Sequence, residues 1–281
     1  MKIAILGLPM SGKTTILKCL INKTNQNSPK PNVLRIMKTP NSSLEQLSKM
    51  SSSVKTSFAE IEVMDFENTQ PFNDSSEYFT EEIITSLQEF DAIMLVIRSF
   101  GDPTVPHPFG EVDPNRDLEQ FLLEQRFSDI NVIEKRVKRI HSEIKLANKK
   151  NQAYLKDQLS VLETLKLEIE ESSSFDIIKS NEKYKKIIQE TFFLSSIPTT
   201  VIFNIDEHYH EDEFSDISSG DAKTACLYGK LEEELLLINK KDAEEIRQDL
   251  KIDDFSIMSL VNQVLKQNRI IHFLTTGKKE S

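Results

Sequence analysis

The chain has 281 residues, of which 38% are hydrophobic and 28% are charged, and its formal net charge is −10. This composition predicts a globular, soluble protein of one large or two modest domains. The negative net charge argues against general electrostatic binding to nucleic acid or anionic membranes, although a local basic patch could still bind either. With no signal peptide and no apolar run of membrane-helix length, we expect a cytoplasmic protein without a membrane segment.

The first segment predicts a phosphate-binding loop. Residues 7–14 follow the pattern G-x-x-x-x-G-K-[ST], after the apolar run 2–6 and before apolar residues at helical spacing in 15–21. A strand, a glycine-rich loop and a helix in this order are the context that supports the motif. The loop backbone and the helix N-terminus would surround the phosphates. The predicted nucleotide contacts are Gly7, Pro9, Met10, Ser11, Gly12, Lys13, Thr14 and Thr15.

Two residues of this loop are given chemical roles. Lys13 supplies a positive charge to the β- and γ-phosphates, and it is the predicted catalytic residue because it would stabilise developing phosphate charge. Thr14 offers its hydroxyl to Mg²⁺.

Further strands alternate with helices along the rest of the chain. The continuous apolar runs at 92–97 and 200–204 are typical of central parallel strands. Alternation of this kind predicts a parallel sheet covered on both faces. The other predicted strands are 33–37, 58–65, 222–227 and 269–274, and the other predicted helices are 43–50, 81–90, 232–237, 243–250 and 256–267.

A long, charged, helical segment separates the two central strands. Apolar residues recur at helical spacing from 117 to about 194, and the polar break at 147–151 predicts an antiparallel hairpin. We therefore predict a nucleotide-binding domain at 1–114 and 198–281, and a helical insertion at 115–197. The hairpin either spaces other parts or contacts a partner through its basic residues, which are Lys135, Lys138, Arg139, Lys145, Lys149 and Lys150.

Two further stretches predict metal and base contacts. Asp65 ends a predicted strand, where a carboxylate can hold Mg²⁺. GTPases recognise guanine with Asn-Lys-x-Asp after a buried strand, and the corresponding stretch here is Asn204-Ile205-Asp206-Glu207. In that motif the aspartate carboxylate accepts two hydrogen bonds from the edge of guanine. Because Glu207 is one methylene longer than aspartate, this closely spaced pair of hydrogen bonds is weakened. We therefore expect ATP to be preferred over GTP, with Asn204, Ile205 and Glu207 at the base.

Two other chemistries have weaker support. His208 and His210 lie beside acidic residues, but the stretch has the composition of a solvated acidic loop. A serine–histidine–aspartate triad is disfavoured because no nucleophile elbow is present. Neither pattern predicts a second catalytic site.

Several motifs resemble the YchF, or Obg-like ATPase, branch of the Obg-related P-loop proteins. The match runs in order over the whole chain: residues 7–14, Asp91 to Phe100, Asp102 to Asp117, Asn204 to Glu207, Gly229 to Leu235, and Phe273 to Gly277. The resemblance implies a Rossmann-like α/β P-loop NTPase domain with a mostly parallel sheet, interrupted by a helical coiled-coil arm. It also implies ATP preference, Mg²⁺, and association with ribosomes or RNA through the arm.

The chain also departs from this family at defined positions. Ser28 stands where the family has a metal-binding threonine, so the resemblance adds it to the predicted metal ligands. Met10 replaces an asparagine, and Asn68 stands where a glycine senses the γ-phosphate. The family's C-terminal TGS domain would begin after residue 281.

Two hypotheses from different classes follow. The first is a slow ATPase, expected to be a monomer, whose nucleotide state is recognised by a ribosome-linked partner. The second is a degenerate nucleotide-binding module with little or no hydrolysis, favoured by Met10 and Asn68. A small-molecule kinase is disfavoured because no arginine-rich lid follows the central strands.

Overall fold

A computed structural model of the chain contains one six-stranded sheet. It describes residues 1–22, 30–39, 41–66, 78–171, 187, 190–207, 223–250, 252, 256–268, 270 and 273–279. The strands are β1 (Lys2–Leu6), β2 (Arg35–Lys38), β3 (Glu60–Asp65), β4 (Ala92–Ser99), β5 (Thr199–Ile205) and β6 (Lys223–Leu227). Their spatial order is β2-β3-β1-β4-β5-β6.

The sheet is parallel except at one edge. β1 pairs in parallel with β3 and β4, β4 with β5, and β5 with β6, whereas β2 pairs antiparallel with β3. Because the parallel strands share one direction, the carboxyl ends of β1, β3, β4 and β5 lie along the same edge. The predicted α/β fold with a mostly parallel sheet is thus confirmed.

Helices cover both faces of the sheet. In chain order, the helices within the described residues are α1 (Lys13–Ile21), α2 (Ser42–Ser51), α3 (Glu81–Leu87), α4 (Pro114–Leu146), α5 (Lys149–Glu171), α6 (Gly229–Leu235), α7 (Lys240–Leu250) and α8 (Ile257–Gln267). None of them combines the length and apolarity needed to cross a bilayer.

Alternate residues of the central strands enter two separate cores. Ile3 and Ile5 of β1 pack with α1 and α8, whereas Ala4 and Leu6 pack with α3 and the first turns of α4. Every residue of β4 and β5 is buried, which explains why these strands have continuous apolar runs rather than alternation. Because the sheet is packed on both faces, the positions of the strand ends along its carboxyl edge are fixed.

The predicted helical hairpin is present. α4 and α5 are joined by a break at 147–148, and they share a third core that includes Ile133, Ile140, Leu155 and Leu162. Because α4 also contributes Leu118 to a sheet core, one long helix extends from the sheet into the hairpin.

The hairpin is tied to the sheet by a buried carboxylate. Oδ1 and Oδ2 of Asp129, in α4, accept hydrogen bonds from the backbone N–H groups of Leu194 (2.6 Å) and Ser195 (3.1 Å). These two residues lie in a 3-10 turn directly before β5. Burial raises the pKa of Asp129 to about 6, because the charged form loses its hydration.

Cys19, in α1, is buried in the core between that helix and the sheet. Burial, followed by the nearby carboxylate of Glu232, raises the pKa of its thiol to about 12. The thiol therefore stays protonated and acts as a small apolar side chain. Cys226 lies in β6 and is partly buried against the other core.

The last predicted strand, at 269–274, is wrong for the residues described there. The N–H of Ile270 instead bonds to the carbonyl of Leu265 and closes the end of α8. Farther on, the chain follows α2 rather than a sheet edge. Ser53 Oγ donates to the Gly277 carbonyl (2.6 Å), and the Val54 N–H donates to that of Lys278 (3.2 Å).

Candidate functional site at the carboxyl edge of the sheet

The glycine-rich loop connects β1 to α1 at the carboxyl edge. Gly7 and Gly12 have φ angles of 147° and 96°, a region that side chains rarely adopt. The close packing around positions 7 and 12 also requires glycine. A Cβ at Gly7 would lie 2.3 Å from the Val96 carbonyl oxygen, and one at Gly12 would lie 2.1 Å from Nδ2 of Asn204. Both glycines therefore let the loop approach neighbouring strands closely.

Lys13 begins α1 and folds back over the loop. Its Nζ donates hydrogen bonds of 2.8 Å to the carbonyls of Gly7 and Leu8, and the residue is only 8% exposed. The ammonium group is thereby held beside the N-terminus of a helix, where positive partial charge also accumulates. The arrangement is suited to a polyphosphate anion.

The predicted metal ligands Thr14 and Asp65 lie together. The hydroxyl of Thr14 donates a hydrogen bond of 2.9 Å to Oδ2 of Asp65, which is buried at the end of β3. Mg²⁺ in nucleotide sites usually takes one or two protein oxygen ligands, with water and phosphate supplying the rest. These two oxygens fit such an ion, and they would hold it beside the phosphates. The third predicted ligand, Ser28, lies outside the described residues.

Asn204 links three segments beneath the loop. Its Nδ2 donates to the Ser11 carbonyl (3.0 Å), and its Oδ1 accepts from the Gly229 N–H at the start of α6 (3.1 Å). The side chain is buried, so both bonds are shielded from water. Asn204 therefore fixes the phosphate loop against β5 and α6.

The other two predicted base-binding residues, Ile205 and Glu207, differ in their exposure to solvent. Ile205 is buried in a sheet core, whereas Glu207 is exposed just after β5. Between them, Oδ2 of Asp206 accepts a hydrogen bond of 2.7 Å from the Gly101 N–H and joins the loops after β4 and β5. Glu207 is thus the accessible carboxylate of this stretch. His208, His210 and Asn68 lie outside the described residues.

Arg98 organises the loop that follows β4, a role that the sequence interpretation did not assign. Its guanidinium, almost fully buried, lies 4.5 Å from the ring centroid of Phe100. It donates to the carbonyls of four loop residues, which are Phe100, Asp102, Val105 and Pro106. The signal in the sequence is one arginine directly after the apolar run 92–97.

His107 connects this loop to the helical hairpin. Its Nε2 lies 2.9 Å from Oδ2 of Asp117, in the first turn of α4, and both side chains are buried. Arg116 donates to the other oxygen of Asp117 and to the Glu111 carbonyl. A group at the carboxyl edge is therefore joined directly to the helix that extends into the hairpin.

The sheet order, the glycine loop and Lys13 define the P-loop NTPase fold. No protein-family model matches the chain. The chain is nevertheless similar over nearly its whole length to curated proteins named ribosome-binding ATPase YchF. It is 24% identical to that of Bacillus subtilis (strain 168), covering 98% of this chain and 78% of the relative. It is 23% identical to that of Escherichia coli O157:H7, covering 99% and 79% respectively.

A solved structure shows the same fold. The Schizosaccharomyces pombe YchF GTPase matches with a TM-score of 0.80 and 19% sequence identity, over 100% of this chain and 79% of that one. The resemblance to YchF proteins, drawn from the motifs, is thus confirmed over the whole chain by sequence and by fold.

Proposed function

We propose that the chain binds ATP together with Mg²⁺ at the carboxyl edge, hydrolyses it slowly, and acts with a ribosome-linked partner. The observation that carries this proposal is the position of the Lys13 ammonium, which is held over the loop at the N-terminus of α1. The intact glycine loop and the names of the relatives, ribosome-binding ATPase YchF, support it.

Each residue has a defined part in the proposed mechanism. The loop backbone from Gly7 to Thr15 holds the phosphates, and Lys13 stabilises the negative charge that develops on them. Thr14 and Asp65 hold the metal ion, which supplies further positive charge to the phosphate oxygens when bound. Ser28 is the proposed additional ligand.

The base is proposed to bind beside Asn204, Ile205 and Glu207. Glu207 supports ATP over GTP, because the longer side chain does not place its carboxylate where aspartate would pair with guanine. The solved relative is named a GTPase, so both nucleotides belong in the test.

The chain is also proposed to have a defined domain division, location and oligomeric state. We propose the division into a nucleotide-binding domain at 1–114 and 198–281 and a helical insertion at 115–197, with the insertion contacting the ribosome or RNA. The ribosome-binding names of the relatives support a cytoplasmic location. A monomer is the expected oligomeric state.

A second candidate function, nucleotide binding without turnover, is favoured by Met10. This residue has a φ angle of 62° and is 58% exposed at the loop, where the resembling family has asparagine. The glycines and Lys13 of the loop are therefore intact, whereas a residue between them differs from the resembling family.

Calorimetric titration of ATP and GTP with Mg²⁺ tests binding, and phosphate release with and without ribosomes tests turnover. Lys13→Ala should abolish detectable binding and release, whereas Lys49→Ala, an exposed change in α2, should leave both unchanged. ATP binding without Lys13-dependent release would support the second candidate. No nucleotide binding would overturn both, and GTP binding tenfold tighter than ATP would overturn the base assignment.

A further inference from the structure

Strands β4 and β5 run side by side to the carboxyl edge of the sheet and separate there. Their register ends with Ser99 opposite Ile205. Beyond this pair, β4 continues into the loop at 100–113, and β5 continues into the stretch proposed to bind the base. A hydrogen bond crosses the gap between them, from the N–H of Gly101 to Oδ2 of Asp206 (2.7 Å).

The acceptor of this bond is a side chain at a point where a longer sheet would use the main chain. The β4–β5 ladder starts with the Ile93 N–H, which donates to the Pro198 carbonyl (2.9 Å). Because such bonds recur at every second residue of a parallel pair, the same register would direct the Gly101 N–H to the carbonyl of Asp206. The carboxylate of Asp206 accepts it instead. The side chain therefore joins the two segments beyond the point where the ladder ends.

The donor of this bond is held in a fixed position by Arg98. Gly101 lies between Phe100 and Asp102, and the carbonyls of both neighbours accept hydrogen bonds from the Arg98 guanidinium (3.3 and 3.0 Å). Arg98 is almost fully buried at the end of β4, so its own position is set by the sheet. The Asp206 carboxylate is therefore attached to a braced loop.

This bond decides the course of the chain just before Glu207. The two bonds of Asn204 and the burial of Ile205 fix the backbone as far as the end of β5. Glu207 is exposed, and its side chain forms no hydrogen bond or salt bridge with the residues that the structure describes. The position of its carboxylate therefore depends on the backbone that Asp206 holds.

We propose that Asp206 is a positioning residue for base recognition. Its carboxylate fixes the turn after β5 to Gly101 and thereby directs the Glu207 carboxylate toward the base. Asp206 acts through Glu207 and does not itself contact the nucleotide. The inference deepens the proposed function and rests on it, because it requires the base to bind at this stretch.

Calorimetric titration with two ligands, ATP and inorganic tripolyphosphate, each with Mg²⁺, tests the inference. Tripolyphosphate offers the phosphates without a base. Asp206→Ala should weaken ATP binding about fivefold or more, because a hydrogen bond to a charged acceptor is lost. Tripolyphosphate affinity should stay within about twofold, because the glycine loop and the helix N-terminus hold the phosphates. The ratio of ATP to GTP affinity should also move toward one.

Asp91 provides a matched control at the opposite edge of the same sheet. Its Oδ2 accepts a hydrogen bond of 2.7 Å from the Lys2 N–H, so Asp91→Ala removes the same kind of bond far from the base. Both ligands should bind this variant within about twofold of wild type. Asp206→Asn keeps an oxygen that can accept from Gly101, and it should retain more of the ATP affinity than Asp206→Ala. Tripolyphosphate binding reports that each variant is folded.

A double-mutant cycle with Glu207→Ala tests whether Asp206 acts through Glu207. If it does, adding Asp206→Ala to the Glu207→Ala chain should change ATP affinity by less than about twofold. Independent roles would instead give losses that add in free energy. A contribution of Asp206 to the fold alone is not expected to disappear when the Glu207 carboxylate is removed.

Three results would overturn the inference alone. These are an unchanged ATP affinity in Asp206→Ala, an equal loss of ATP and tripolyphosphate in that variant, and additive losses in the cycle with Glu207→Ala. Binding of neither ligand by the wild-type chain would instead overturn the proposed function and this inference together. Binding of tripolyphosphate at the same affinity as ATP would overturn the base assignment on which the inference rests.

Discussion

The Thr14 hydroxyl and the Asp65 carboxylate form a hydrogen bond of 2.9 Å, although 51 positions separate them in the chain. The bond joins the first turn of α1 to the end of β3. Parallel pairing of β1 with β3 brings these ends to the same edge. Two oxygens that could share one Mg²⁺ ion are thereby placed beside Lys13.

This pair predicts a metal-dependent loss of nucleotide affinity. Asp65→Asn should weaken ATP binding about tenfold or more in Mg²⁺, because a metal ligand loses its charge, and should change it little in EDTA. Calorimetry in both buffers measures the difference. Asp249→Asn, at an exposed position of α7, is the control. An equal loss with and without Mg²⁺ would contradict the assignment of Asp65 to the metal.

The buried bonds of Asn204 predict a large stability effect. Asn204→Ala leaves the Ser11 carbonyl and the Gly229 N–H buried without these partners, which should lower the free energy of unfolding by about 2–4 kcal/mol. Urea unfolding measures it. Asn131→Ala, on the exposed surface of α4, should change stability by less than about 0.5 kcal/mol. Similar values for the two variants would show that the bonds contribute little.

Met10 predicts a stabilising substitution. Its φ of 62° is unfavourable for methionine and better tolerated by asparagine, so Met10→Asn should raise the free energy of unfolding by about 0.5–1 kcal/mol. Met50 is also exposed but lies within α2, where asparagine is a poorer helix former. Met50→Asn should therefore destabilise the protein in the same urea experiment. A loss of stability in both variants would contradict this interpretation of the Met10 backbone.

Asp129 predicts a pH-dependent contribution to stability. Its pKa is raised from the ordinary value of 3.8 to about 6, so the folded state binds the proton more tightly than the unfolded state. The contribution of this group is therefore most favourable below pH 4 and falls, by up to about 3 kcal/mol, as pH rises to 6.

Asp129→Asn removes this titration and provides the measurement. The stability of wild type minus that of the variant, from urea unfolding, should decrease between pH 4 and pH 7. The difference isolates Asp129, because the other acidic groups are common to both chains. A difference that stays constant over this range would contradict the raised pKa.

The sequence alone determined the parts that depend on local spacing. Residues 7–14 and the apolar runs at 92–97 and 200–204 were sufficient to predict the loop and the central strands. The helical spacing from 117 to about 194 and the polar break at 147–151 predicted the hairpin. Such patterns are informative because the apolar residues that face a core recur with different periods in helices and in strands. The strand predicted at 269–274 was wrong for the residues described there because an apolar run can also close a helix, as Ile270 does through its bond to the Leu265 carbonyl.

Only the tertiary structure decided how distant residues work together. The Asn204 amide, the Arg98 guanidinium and the His107–Asp117 pair act through contacts across strands and loops. A sequence specifies which groups are available, but their partners follow from strand order and packing, which bring together residues far apart in the chain.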